Sequence, residues 1–277
     1  MGMSENPYLA VVVIQLLTFG VPSLFYCRLR GREFSKRLRL RAIKPLHILY
    51  VAYSALFMIC GVMLLSVLMY NISPDTFAVS SVDQHAAFAM NGGVFNSVYI
   101  FLTFALLPAF CEEFLFRGIM LGEYETVGGA SIAISVSALM FAMSHFSLIR
   151  LPVYLFAGLV LGAVCYATRS VLACIIVHTL NNSVVLFCED YVIGIAERQN
   201  VGYVLLLVIF GAVFIISGML MCYEAHNIYR DYAENNVESD YAAASKKNIF
   251  GRISESFFTP TFLLATAIFV LAAIARM

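Results

Sequence analysis

Eight long apolar runs decide what this chain can fold into. They extend roughly over Tyr8–Tyr26, Leu46–Tyr70, Phe95–Met120, Val127–Phe146, Leu151–Thr168, Val171–Cys188, Val201–Cys222 and Phe258–Ala275. A hydrocarbon core about 30 Å thick is crossed by ~20 apolar residues in α-helix. Inside it, every backbone N–H and C=O must find its partner within the segment or in a closed barrel. Each run is bounded by charged or turn residues, and the fifth and eighth are short. The expected fold is all-α: a polytopic membrane protein of about eight transmembrane helices. Composition agrees, with 61% hydrophobic residues, 12% charged residues and a mean hydropathy of +0.87. A soluble domain carries about 25% charged residues, so a soluble enzyme is excluded. A net charge of zero argues against nucleic acid as a partner, and the apolar excess excludes intrinsic disorder.

Basic residues set the expected orientation. Arg28, Arg30, Arg32, Lys36, Arg37, Arg39, Arg41 and Lys44 crowd into Cys27–Pro45, whereas Asn71–Val94 has Asp75 and Asp83 and no Lys or Arg. The first loop is placed in the cytoplasm and the second outside. Alternation then puts both termini outside, and the turns near Glu123 and Arg169 and the stretch Tyr223–Phe257 inside. Arg230, Lys246, Lys247 and Arg252 agree; Arg150, Arg198 and Arg276 agree less well. Met1–Pro7 holds Glu5 and no basic residue, so the first run is expected to remain as a span rather than be removed as a signal peptide. Before the last run lies a polar linker ending in an amphipathic segment with Ile249, Phe250, Ile253 and Phe257. The seven cysteines form no C-x-x-C and are expected to be free, acting as small hydrophobes.

Charge inside a span is costly and marks a functional candidate. The third run contains Cys111-Glu112-Glu113-Phe114-Leu115-Phe116-Arg117. Glu113 and Arg117 are i,i+4 in the favourable order. Glu112 lies about 140° around the helix from Arg117, so it needs a partner from another helix. Of the five histidines, His145 and His178 lie in apolar runs beside other polar groups, and His178 shares a helical face with Asn182. At ~1.5 Å per residue, Glu112 lies roughly 20 Å from the nearest cytoplasmic turn and His145 roughly 28 Å. His178 and Asn182 lie roughly 12 and 18 Å from theirs. Tilted helices can bring these to one layer, with His145 the poorest fit.

A carboxylate, two imidazoles and an amide in one half-buried layer suit hydrolysis. A desolvated carboxylate is a good general base toward water, and His178 with Asn182 can donate to a developing oxyanion. The same residue types also fit a zinc site made of Glu112, His145 and His178 with one position left for water. Neither H-E-x-x-H nor G-x-S-x-G occurs.

The ordered motifs E-E-x-x-x-R, F-x-x-x-H and H-x-x-x-N on separate hydrophobic helices resemble the CPBP family of intramembrane proteases. That family includes the type II CAAX prenyl endopeptidases and the bacteriocin-processing or immunity (Abi) proteins. The resemblance covers roughly Phe95–Cys188. Within it Glu112, Glu113, Phe116, Arg117, Gly118, Phe141, His145, His178, Asn181 and Asn182 match motif positions, and Gly158 and Gly162 lie on a similar small-residue helix. It implies that Glu112 and His145 activate water, that His178 and Asn182 hold the oxyanion, and that Glu113 with Arg117 supports them. It leaves both a zinc-dependent and a metal-free glutamate mechanism open.

The expected partners are the bilayer and a membrane-associated peptide or protein substrate, with no nucleic acid, and the expected location is a bacterial cell membrane. The expected division is 1–94 for the N-terminal helices, 95–188 for the catalytic core carrying the active site, and 189–277 for the C-terminal helices. The competing reading is a non-catalytic immunity protein, scaffold or proton-coupled transporter; no inverted repeat favours transport. Asn182 as helix–helix glue, Asn181 as a structural residue and Ser144 as a nucleophile without an acidic partner are the local alternatives. Gly158 and Gly162 are expected to pack within the monomer.

Overall fold

The computed structural model describes residues 7–31, 38–77, 94–237 and 247–275. Arg32, Lys36, Arg37, Asp83, His85, Lys246, Arg276 and the Met1–Glu5 stretch lie outside them. The described residues form helices α1 (Leu9–Arg30), α2 (Pro45–Ile72), α3 (Ser97–Gly128), α4 (Ala130–Met143), α5 (Leu151–Thr168), α6 (Val171–Glu197) and α7 (Val201–Glu234). A bent pair follows, α8 (Ile249–Phe257) and α9 (Pro260–Ala275), with 55° between them. The chain is an all-α, multi-pass membrane protein.

Every expected apolar run is helical, but not every one is a full span. Among the described residues six helices are long and apolar enough to cross a membrane, or seven with α8–α9 taken together. The shortfall against eight is α4, which has only 14 residues, roughly 21 Å of helix. Gly129, at φ +78°, starts it later than the hydropathy suggests, and it ends at Met143, before the apolar run does. Elsewhere helices outrun the apolar segment: α3 continues to Gly128, α6 to Glu197 and α7 to Glu234. Backbone hydrogen bonding does not stop where hydrophobicity does, and the added charges find partners.

Helices α2, α3, α5 and α6 form the centre, with 44–56% of their most apolar windows buried. Their inner faces meet through Met58, Ala109, Leu161, Val164, Cys165, Cys174 and Val177, all fully enclosed. Helices α1 and α7 bury only 6% and 11% of theirs. Leu17, Leu24, Val208 and Met219 point outward, a surface that water would not tolerate and lipid requires. All seven cysteines are free; Cys60, Cys111, Cys165 and Cys174 are buried, while Cys188 and Cys222 face outward.

The ends assort as alternation demands. At one end, Arg30 pairs with Glu123 at 2.8 Å and Arg39 with Glu125 at 2.7 Å. There Val171 N–H donates to Arg39 O (3.0 Å), Ser170 Oγ to Arg41 O (2.6 Å) and Tyr232 Oη to Ala167 O (3.1 Å). At the other end, Tyr70 Oη donates to Glu197 (3.0 Å) and Asn71 to Tyr203 (3.2 Å). Part of the basic loop is thus spent inside the protein, since Arg39 and Glu125 are both buried. Helix α8 caps the same end, with Arg252 donating to Gly128 O (3.4 Å) while Ile249 and Phe250 stay exposed.

Gly158 and Gly162 pack α5 onto α4 within one molecule. A Cβ on Gly158 would lie 2.9 Å from Ala138 Cα and 3.0 Å from its carbonyl oxygen, both backbone atoms that cannot rotate away. Gly158→Val is expected to lower stability by about 3 kcal/mol, the upper range for overpacking. An SDS-unfolding titration of the membrane protein measures it; an unchanged midpoint would contradict the close contact.

Candidate active site

Four sequence-selected residues, Glu112, His145, His178 and Asn182, line one cavity of about 220 Å³ between α1, α2, α3, α5 and α6. Two features of the fold level them. First, α4 begins at Ala130, so His145 stands roughly 22 Å into this hairpin rather than 28 Å. Second, the α5–α6 turn is recessed: Thr168, Ser170 and Val171 are buried beneath the Leu38–Arg41 strap. His178 therefore reaches the layer of Glu112 after only two turns of α6.

The paired glutamates have separate partners, as their helical angles require. Glu113 Oε1 accepts from Arg117 Nη1 at 2.7 Å and from His178 Nδ1 at 2.8 Å. Arg117 Nη2 also donates to Gly158 O at 3.0 Å. Glu113 and Arg117 are 0% and 1% exposed. The link from Glu113 to His178 goes beyond the local ion pair expected from spacing. It fixes the imidazole ring and leaves Nε2 toward Glu112 Oε2, 4.0 Å away. Glu112 Oε1 takes a hydrogen bond from Gln15 Nε2 on α1 at 3.3 Å.

His145 stands just past the end of α4. Its Nδ1 lies 2.9 Å from Phe141 O. A carbonyl only accepts, so Nδ1 carries the proton and Nε2 offers a lone pair. The ring stacks on Tyr154, centroids 3.8 Å apart and planes 20° from parallel. Phe146 follows at φ +50°, a strained setting for a bulky residue that stops the helix inside the protein. Ser144 Oγ donates to Phe141 O at 2.7 Å, which commits its proton. Phe141 joins these groups: its ring meets His145, His178 and Phe116 edge-to-face, and the Arg117 guanidinium lies 4.8 Å from its centroid. Asn182 Nδ2 makes one long contact, 3.5 Å to Ala105 O, and is thus loosely held. Asn181, read as structural from sequence, also lines the cavity.

Several cavity residues escaped the sequence reading. Gln15 is one; an amide inside an apolar span was its available signal. Arg150 and Glu189 are others. Arg150 seemed a misplaced topology marker, but it is buried, with Nη1 3.1 and 3.0 Å from the two Glu189 oxygens. Ser66 Oγ also donates to Glu189, at 2.8 Å. Paired charge explains its departure from the orientation rule. Tyr154, which fixes His145, carried no motif.

Glu112, His145 and His178 line one cavity without forming a cluster of three candidate ligands. Among the described residues no group of three His, Cys, Asp or Glu side chains is placed to hold a metal ion.

Fold and site together define a polytopic helical membrane protein with a half-buried carboxylate–imidazole cavity. Residues 94–184 match the family model described as Type II CAAX prenyl endopeptidase Rce1-like. The match covers about a third of the chain, and over that segment the protein is similar to the CAAX-type prenyl endopeptidases. No curated protein and no solved structure matches the chain.

Proposed function

We propose that this protein is an intramembrane endopeptidase in which Glu112 and His145 activate a water molecule against a peptide bond of a membrane-associated substrate. The observation that carries the reading is the meeting of Glu112, His145, His178 and Asn182, from three segments, on the wall of one cavity. Water sits between Glu112 Oε2 and His145 Nε2. His145 accepts one hydrogen bond and orients it; Glu112 takes the proton as oxygen attacks the carbonyl carbon. The carbonyl oxygen becomes an oxyanion held by Asn182 Nδ2 and His178. Because His178 Nδ1 already donates to Glu113, Nε2 must carry the second proton to donate. The Glu113 carboxylate supports that imidazolium. Glu112 then passes its proton to the leaving nitrogen, the C–N bond breaks, and a carboxyl and an amine terminus result.

Comparative membrane proteomics of cells with wild type or Glu112→Gln tests this reading. A protein accumulating uncut with the variant supports it; identical profiles, or an accumulating protein that the purified enzyme does not cleave in liposomes, overturn it. That no group of three His, Cys, Asp or Glu side chains among the described residues is placed to hold a metal ion supports a metal-free reading. Treatment with 1,10-phenanthroline is expected to leave the rate within about twofold, a change too small to represent loss of a catalytic group. Loss of activity that zinc restores would overturn the metal-free assignment.

A further inference from the structure

The geometry points to Gln15 as a positioning residue of this site, its amide holding Glu112 Oε1 so that Oε2 is the oxygen left to take a proton from water. The inference rests on the hydrolytic reading and extends the machinery to α1, outside the segment matched by the family model. A carboxylate only accepts hydrogen bonds, so the amide nitrogen must face it at 3.3 Å. Its other oxygen is thereby turned toward His178 Nε2. An amide in a span is expensive unless bonded; the Gln15 nitrogen is bonded to Glu112, while its buried Oε1 makes no hydrogen bond among the described residues. The neighbouring Ile14, Leu16 and Leu17 are exposed while Gln15 faces the cavity.

The contact belongs to a register rather than to a chance approach. Helices α1 and α3 run parallel, and three contacts follow one another along them. Gln15 meets Glu112, Phe19 meets Phe116 with ring centroids 6.0 Å apart, and Arg30 meets Glu123. Phe19 is the buried anchor of that seam. The backbone is adjusted at the same level. A π-helical turn at Leu16–Gly20 follows Gln15 directly, and others at Phe101–Leu106 and Phe114–Met120 bracket the Glu112 segment. Such turns disturb regular winding and recur at functional sites. Here they occur on both helices that supply the contact.

Three variants in liposomes test the assignment. Gln15→Met keeps the shape and removes the donor; it is expected to lower kcat about tenfold or more, the scale of a lost hydrogen bond to a charged group, with KM within about twofold. Gln15→Glu sets a like charge against Glu112 and is expected to fall further. Phe19→Ala loosens the seam and reports a merely structural effect through the unfolding midpoint. Gln15→Met with unchanged kcat overturns the proposal, as does a loss of kcat matched by an equal loss of midpoint in both Gln15→Met and Phe19→Ala. A second readout needs no substrate: dicyclohexylcarbodiimide labelling of Glu112, followed by mass spectrometry. Gln15→Met is expected to speed labelling several-fold at Glu112 and not at Glu189. Equal rates remove the Gln15 contact whatever the activity. Faster labelling in a protein that cleaves nothing keeps the contact and removes the protease reading.

Discussion

Glu112→Ala is expected to lower peptide cleavage by roughly 10²–10⁴-fold, the contribution of a positioned general base, while the protein inserts and folds at wild-type levels. The stability half follows from the contacts. Glu112 has one long hydrogen bond, to Gln15, and no ion pair closer than 4.0 Å. A lone carboxylate in a span costs ~3 kcal/mol on an insertion scale, so its removal offsets the lost contact. Cleavage of a reconstituted substrate and the unfolding midpoint are measured on one preparation. Activity retained within a few-fold would remove Glu112 from the chemistry. Activity lost together with folding would make it a structural residue.

Arg117→Met should show the opposite signature. Arg117 is buried among Glu113, Gly158 O and the Phe141 ring. Removing one partner of a buried pair costs about 3–5 kcal/mol, and it leaves Glu113 with His178 as its remaining partner. Here the remaining carboxylate also orients His178, so activity falls with stability. The double variant Glu113→Gln/Arg117→Met removes both charges. It should recover most of the stability, since swapping a whole buried pair for neutral groups is often nearly free. It should not recover activity, because His178 loses its anionic partner. SDS-unfolding titrations of the two single variants and the double variant give the coupling directly. A single-variant loss below about 1 kcal/mol would mean that the pair is solvated, contrary to its burial.

Adjacent glutamates that look equivalent in sequence thus carry different expectations. At 100° per residue one meets Arg117 and the other cannot, and that much needed no coordinates. The same applies to the membrane class, the assortment of helix ends and the shared face of His178 and Asn182. All are local properties, set by hydropathy along the chain and by helical periodicity.

What lay across helices was not legible. The partner of Glu112 proved to be Gln15, 97 positions away, and the order of the runs holds no information about which helix lies beside α3. Arg150 read as a violation of the orientation rule until Glu189 was found against it. Depth arithmetic misplaced His145 because hydropathy does not reveal that Gly129 delays α4 or that Phe146 ends it inside the protein. It also took the α5–α6 turn to lie at the surface, whereas Ser170 and Val171 are buried. The sequence by itself determined a bundle of membrane helices and which side chains were too costly to be idle there. Only the tertiary structure decided which of them meet, because pairing across helices depends on where each helix begins, ends and leans, and those are set by contacts with the others.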